Sequence, residues 1–372
     1  MGMQNSALGL SEQLVSTSPH RNNFDFVRLC AALCVVVSHQ FALNGLPEPV
    51  ILNTHSLGGL GVLIFFSVSG YLVAQSWDSD PQLGRFAARR LLRIWPGLAG
   101  VTLIGVVLWA PLVSPLPLKE YFHHPGVHAY LNNLRFSIRD GLPVSFTGSA
   151  LPFAFNGPLW TIPLELKCYV VLALCGAVGL LRSKWPLLIV TAAVLVRYAI
   201  VEPRGDGLVN SLGWELNDRW LLEFGLFFAA GVLLHYVDFT RRRIVLALVM
   251  AGWAAAFASV LAGRLFLALW FLVPVAVIAI GTASTPFIRR AGRFGDLSYG
   301  IYIYAFPVQQ TLIWLLGKHL SWEALFAVTL VSTGALAFMS WHLIEKRALR
   351  LKPKRRQNAR VGAQLEPKRV PS

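Results

Sequence analysis

The sequence predicts an all-α fold, a polytopic integral membrane protein with about ten transmembrane helices. Three observations carry this. Hydrophobic residues make up 55% of the 372 residues and charged residues only 14%, against about 25% charged in soluble domains, so the chain cannot cover a water-facing surface with polar groups. Mean hydropathy is +0.57. The apolar residues are also gathered into runs of about 20, the length a helix needs to cross a bilayer. A cytosolic enzyme, a secreted disulfide scaffold and a disordered regulator are all excluded.

The runs lie near 24–43, 57–77, 94–114, 158–181, 185–201, 218–237, 243–262, 264–282, 297–317 and 323–345. Their number and length, rather than their periodicity, separate them from buried core helices. They divide the chain into a polar N-terminus (1–23), a transmembrane domain (24–346) and a basic tail (347–372). No basic cluster with an apolar run behind it opens the sequence, so no cleaved signal peptide is expected and the first span reads as an uncleaved anchor.

Lys and Arg in the connections set the orientation. With a cytoplasmic N-terminus, 24 of the 33 fall on the inner side and 8 on the outer, with Lys167 inside a span. Both termini are therefore expected in the cytoplasm. The same asymmetry accounts for the net charge of +15 without nucleic acid, with membrane lipid as a partner for the tail. Cys30, Cys34, Cys168 and Cys175 all lie within spans and read as small buried residues; no metal-ligand spacing is present.

Ionisable side chains near the bilayer centre cost at least about 2.5–3.5 kcal/mol each and are functional candidates by default. Arg28 and His39, in the first run, are eleven residues apart, close to three helical turns, and project from one face. Asp25 is placed to pair with Arg28. His39 reads either as a reacting group or as a satisfied interhelical histidine near the outer interface. Glu165 enters from the other side at about the same depth, two residues after Pro163, whose missing N–H suggests an interrupted helix beside a cavity. A His and a Glu at one depth suit general-base catalysis with an orienting carboxylate, or a proton relay in a transporter. Glu223 reads either as facing the same cavity or as pairing with Arg219 four residues earlier, and Glu345 is expected to pair with the basic tail. Arg89, Arg90 and Arg93 form a cationic face at the inner surface, read either as an interfacial anchor beside Trp95 or as a bidentate clamp for phosphates. The stretch 115–157 holds Tyr121, Phe122, His123, His124, Tyr130 and Phe136, which read either as an interfacial segment or as the border of a sugar site.

Taken in order, these pieces resemble the acyltransferase 3 family of bacterial membrane acyltransferases. Arg28 and His39 match its Arg-ten-residues-His element. Phe65-Phe66-Ser67-Val68-Ser69-Gly70-Tyr71-Leu72 is similar to its second-helix motif, and Arg90-Leu91-Leu92-Arg93 to its Arg-x-x-Arg. Leu159-Trp160-Thr161-Ile162-Pro163-Leu164-Glu165 matches its Leu-Trp-Ser/Thr-x-x-x-Glu pattern. Ser298-Tyr299-Gly300-Ile301-Tyr302 resembles its late Ser-Tyr-Gly-x-Tyr. The chain departs from the family at Ala305, where many relatives carry histidine. It also ends in the basic tail where many relatives carry a fused hydrolase-like (SGNH) domain, which implies a stand-alone enzyme.

The resemblance implies a multi-pass protein of the bacterial inner membrane that takes an acetyl group from cytosolic acetyl-CoA. It implies no metal, and as acceptor a sugar hydroxyl on a cell-surface polysaccharide or lipid-linked glycan. Arg28, Arg89, Arg90 and Arg93 would hold the donor. His39 would be the base and Glu165 its partner, with Ser69, Tyr71, Trp160 and Tyr299 along the tunnel. The competing expectation is a proton-coupled transporter or flippase using His39 and Glu165 as its relay, which should show related halves or paired interrupted helices.

Overall fold

The computed structural model describes residues 22–201 and 216–353. Among them, ten long helices coincide with the ten apolar runs: α1 (Phe24–Leu43), α2 (Leu57–Asp78), α3 (Leu83–Ile104), α4 (Thr161–Ala177), α5 (Lys184–Val201), α6 (Leu216–Leu234), α7 (Arg242–Leu261), α8 (Leu265–Thr282), α9 (Leu297–Leu316) and α10 (Trp322–Ser340). Two are longer than expected. α3 starts at Leu83 and continues through a π-helical turn at Gly105–Trp109 to Val113, and α10 continues through another at Trp341–Glu345 to Leu349. The early start of α3 makes the arginine-rich stretch Arg85 to Arg93 part of the helix instead of a connection.

Seven of these helices, with their extensions, are long and apolar enough to cross a membrane. α9 is not among them, for a reason that bears on function. Every residue from Gly300 to Gln310 is buried, and the helix carries Tyr299, Tyr302, Tyr304, Gln309 and Gln310, so it is a polar column inside the bundle rather than a lipid-facing one. Pro307 lies within it. Proline cannot donate to the carbonyl four residues back; Asn156 Nδ2 supplies the missing bond to Ile303 O at 2.9 Å.

α2 packs on α1 and α6, α9 on α1 and α10, and α7 on α8. The α2–α6 crossing is a backbone contact. A Cβ on Gly70 would meet the carbonyl of Phe228, and one on Gly231 the carbonyl of Ser67. Small residues that let helices touch in this way drive association where lipid offers no hydrophobic advantage.

The connection 115–157 forms a core of its own. Tyr121, Tyr130, Phe146 and Phe155 are fully buried and pack with Val106 and Ala110 of the α3 extension; the Tyr121 hydroxyl donates to Val106 O at 3.0 Å. Tyr121 and Tyr130 are therefore core residues, and neither borders a sugar site. Further along, Phe136 and Ile138 pack against the main core, and Trp95 Nε1 of α3 donates to Leu134 O at 3.0 Å. The chain thus re-enters the bundle before α4 begins. Pro163 does not interrupt a helix: it lies in the first turn of α4, behind a 3-10 turn at Gly157–Trp160, where an N–H has no helical partner in any case.

A short hairpin, β1 (Val50–Ile51) and β2 (His55–Ser56), joins α1 to α2. Thr54 N bonds to Ile51 O at 3.0 Å, and Leu52 and Asn53 between them sit at φ 49° and 50°. Two consecutive positive φ values make the tight mirror-image turn that hairpins favour. The turn directs His55 back over the bundle, and Ser56 caps α2 by accepting from Gly59 N.

Candidate active site

The sequence-predicted residues fall into two chambers and the arginine cluster next to them. The narrower chamber, of about 50 Å³, is lined by Arg28, Ser69, Glu165 and Tyr299 among others. The wider, of about 240 Å³, is lined by His39, Glu48, His55, Trp160 and Trp220 among others. Val62, Thr161 and Tyr302 belong to both. The Tyr302 hydroxyl lies 2.6 Å from Thr161 Oγ1 and donates to Pro158 O at 3.0 Å, so a hydrogen-bonded neck divides the two.

At the arginine end, Arg28 of α1 and Arg93 of α3 converge on one carboxylate oxygen of Asp296, the residue preceding α9. The other oxygen accepts from Ser298 Oγ at 2.5 Å. Burial alone would raise the Asp296 pKa, but the two guanidinium charges dominate and hold it below the ordinary carboxylate range. The expected partner of Arg28, Asp25, is not the one it takes: the i,i+3 rule sees only one helix, and the three-helix junction brings Asp296 to it. Arg89 is buried and donates to Asp80 Oδ2 at 2.6 Å, with Arg85 on the same carboxylate at 2.9 and 2.5 Å. These hydrogen bonds from Arg85 and Arg89 depress the Asp80 pKa. Arg89 is thus engaged within the α2–α3 junction. Arg90 is less committed: Nη2 is 3.5 Å from Ser76 Oγ, Nε has no partner, and the guanidinium lies 5.9 Å from the Phe86 and Tyr169 rings.

Glu165 joins this end, not His39. Ser69 Oγ donates to its Oε1 at 2.6 Å, and the Tyr169 hydroxyl donates to the same oxygen, making a polar path from Arg90 through Tyr169 to Glu165 and Ser69. No hydrogen bond joins Glu165 to His39 among the described residues. Glu165, one turn along α4 from Thr161 of the neck, lines the narrower chamber, and His39 lines the wider one. Tyr299 fixes the lower wall, its hydroxyl donating to Ile94 O at 2.7 Å. Tyr71 lines neither chamber and packs on Phe24, His235 and Phe239.

His39 stands at the floor of the wider chamber, its ring 5.2 Å from and edge-on to that of Phe306. Its Nδ1 is enclosed without a partner among the described residues. Ser38 beside it donates to Glu48, which shares the chamber. Sequence reasoning missed Asp80, Asp296, Glu48 and His55. Asp296, directly ahead of the Ser298-Tyr299-Gly300 run, had a local signal as the N-cap of α9, where its side chain accepts from Ser298 N. Glu223 approaches His55 Nε2 at 3.5 Å and accepts from the Tyr198 hydroxyl at 2.5 Å; the Arg219 side chain expected beside it lies outside the described residues. Glu345 is buried and accepts from Ser340 Oγ at 3.0 Å, while the tail expected to pair with it lies, beyond Pro353, outside the described residues.

Comparison with known proteins agrees with this architecture. A family model described as an acyltransferase domain matches residues 21–342. The O-acetyl transferase of Shigella phage Sf6 is 33% identical over 333 residues, 89% of this chain and 97% of that protein. Nodulation protein 10 of Rhizobium leguminosarum bv. viciae is 29% identical, over 90% of this chain and 95% of its own length. The putative peptidoglycan O-acetyltransferase YrhL of Bacillus subtilis is 25% identical over 89% of this chain and 55% of that protein. No solved structure matches. With a family match that takes in every residue lining the two chambers, the chain belongs to the acyltransferase 3 family of integral-membrane acyltransferases.

Proposed function

We propose that the protein moves an acetyl group from cytosolic acetyl-CoA to a sugar hydroxyl of a cell-surface or lipid-linked glycan, in the bacterial inner membrane, with the arginine end facing the cytoplasm. The observation that carries this is the adjacency of the two chambers, which share Val62, Thr161 and Tyr302. Arg28 of the arginine cluster lines the narrower one, and His39 lines the wider one across the Tyr302–Thr161 neck. Arg28 and His39 are separated by about 16 Å of helix rise, matching an extended pantetheine arm of about 15–20 Å. The lysine and arginine asymmetry of the connections supports the orientation, and the O-acetyl transferases among the relatives support the reaction.

Arg90, with Arg28 and Arg93, receives the donor phosphates. Two arginines on the single carboxylate of Asp296 leave a net positive charge there, and Arg90 has donors to spare. Arg89 positions α3 through Asp80 rather than touching the donor. Glu165, Ser69 and Tyr299 line the passage of the arm, so Glu165 acts on the donor side. At the neck the thioester carbonyl meets the acceptor. The acceptor oxygen attacks the carbonyl carbon as His39 takes its proton; the tetrahedral adduct expels the CoA sulfur, which recovers that proton from His39. A covalent variant passes the acetyl group through the His39 ring.

The test is release of free CoA thiol from acetyl-CoA by the purified protein, with and without a bacterial polysaccharide or lipid-linked glycan extract. Acceptor-stimulated release that vanishes in His39→Ala is the expected result. Release that continues unchanged in His39→Ala would overturn the reading.

A further inference from the structure

The wider chamber carries a second histidine that the transfer step leaves unused. His55, on β2, lines it with Nε2 3.5 Å from Glu223 of α6. Glu223 is fixed in turn by the Tyr198 hydroxyl of α5. His55 and Glu223 are both buried, and His55 Nδ1 has no partner among the described residues. Burying an imidazole and a carboxylate together is unfavourable unless they are matched to each other and to something else. The hairpin turn at Leu52 and Asn53 holds His55 in place, so its position is built rather than incidental.

The same chamber has an aromatic wall. The rings of Trp160, Trp220 and Phe224 are in mutual contact at 5.7, 5.8 and 5.6 Å, and Trp160 remains 39% exposed. The chamber thus combines an aromatic surface with polar groups from the hairpin side, Glu48 and His55, and with Glu223 behind His55. A fatty chain would have no use for the polar groups, and an inorganic anion none for the rings. A pyranose has both needs, a C–H face that packs on aromatic rings and an edge of hydroxyls that donate to carboxylate and imidazole. The Glu48 carboxylate at that edge also disfavours a ring bearing a carboxylate or phosphate.

We propose that this chamber is a subsite for one uncharged pyranose ring of the acceptor, with Trp160 and Trp220 as its platform and the His55–Glu223 pair as its hydroxyl anchor. It rests on the acyl-transfer reading above and adds the acceptor class and the residues that select it. The ring is held so that one of its hydroxyls reaches His39, while the remainder of the glycan stays outside.

The experiment is saturation-transfer NMR on the purified full chain. The probes are the methyl glycosides of glucose, galactose, mannose and their 6-deoxy forms, with methyl glucuronoside as the anionic comparison. Acetyl-CoA binding is measured on the same samples as the check of fold and of the donor site. The expected result is transfer to the ring C–H protons of at least one neutral glycoside and none to the glucuronoside. The signal should fall about fivefold or more in Trp220→Ala and in His55→Gln, with acetyl-CoA binding unchanged in both. Trp160→Phe, which keeps an aromatic ring, should retain most of it. The subsite is overturned if no neutral glycoside shows transfer, if the signal survives in both variants, or if the glucuronoside binds equally well. Glycoside binding without any acetyl-CoA binding would instead overturn the acyl-transfer reading and leave the sugar subsite standing.

Discussion

The two ends of the passage are built on opposite principles. At the arginine end, Arg85 and Arg89 are matched by Asp80, Arg28 and Arg93 by Asp296, and Asp296 is further bonded to Ser298. At the histidine end, His39 and His55 each bury a ring nitrogen with no partner among the described residues. Charges in a membrane interior are costly unless compensated, so the arginine end is mostly paired; on the reading proposed above its donor would enter at the margin, through Arg90, whose Nε has no partner among the described residues. An imidazole nitrogen can be left under-bonded at lower cost than a guanidinium or a carboxylate. The paired region holds the helices together, and the under-bonded one is where the reading above puts the chemistry.

The comparison can be broken most directly at His39. His39→Ala should reduce transfer by about 10²–10⁴-fold, the usual loss for a general base, with acetyl-CoA affinity kept; parallel loss of both would place His39 on the structural side. Asp80→Asn comes next. It strands Arg89, 4% exposed, as a buried charge without its counter-ion, which costs about 3–5 kcal/mol and should appear as a large fall in thermal stability, measured in detergent by fluorescence-detected unfolding. The related pH dependence has a fixed sign. The native Asp80 pKa is depressed, so its contribution is present above the ordinary carboxylate pKa of about 3.9 and is lost as pH falls toward the depressed value. Wild type should lose stability on acidification across that window, and Asp80→Asn should show less of the loss.

Glu165→Gln sharpens the division. With Glu165 on the donor side, the variant should weaken acetyl-CoA binding and leave the pH profile of kcat in place. A shifted profile would return Glu165 to His39 as its partner. The smallest effect is expected from Tyr302→Phe, which removes hydrogen bonds to Thr161 and Pro158 worth about 1 kcal/mol each. It should raise acceptor-independent CoA release modestly by loosening the neck, and unchanged release would make Tyr302 a packing residue only.

Much of the fold was legible because apolar length is a direct physical requirement of the bilayer. α1 begins and ends where the first run does, and the short connection at Gly263 separates α7 from α8 as expected. α9 was legible by position, although its tyrosines and glutamines left it less apolar than its neighbours, the mark of a helix shielded by others. The site was legible where one helix sufficed, as with Arg28 and His39 on α1. It failed where partners came from elsewhere. Local spacing assigned Arg28 to Asp25, but the carboxylate it uses lies 268 residues away. Glu165 was matched to His39 by depth, whereas its hydrogen bonds go to Ser69 and Tyr169, partners that a depth count does not see. His55 gave no warning, since a two-residue strand in a polar connection looks like any loop.

The Tyr302–Thr161 bond has a consequence for the cell as well as for the reaction. On the orientation proposed above, hollows entered from the two faces of an energised membrane would be one water file away from a proton leak, and each charge that crosses dissipates about 2.3 kcal/mol per 100 mV. A hydroxyl pair backed by the Pro158 carbonyl at the meeting of the two hollows breaks that file without adding a gate. On the orientation proposed above, a thioester could reach across the barrier while ions could not, and the enzyme could export acetyl groups without discharging the membrane in which it sits.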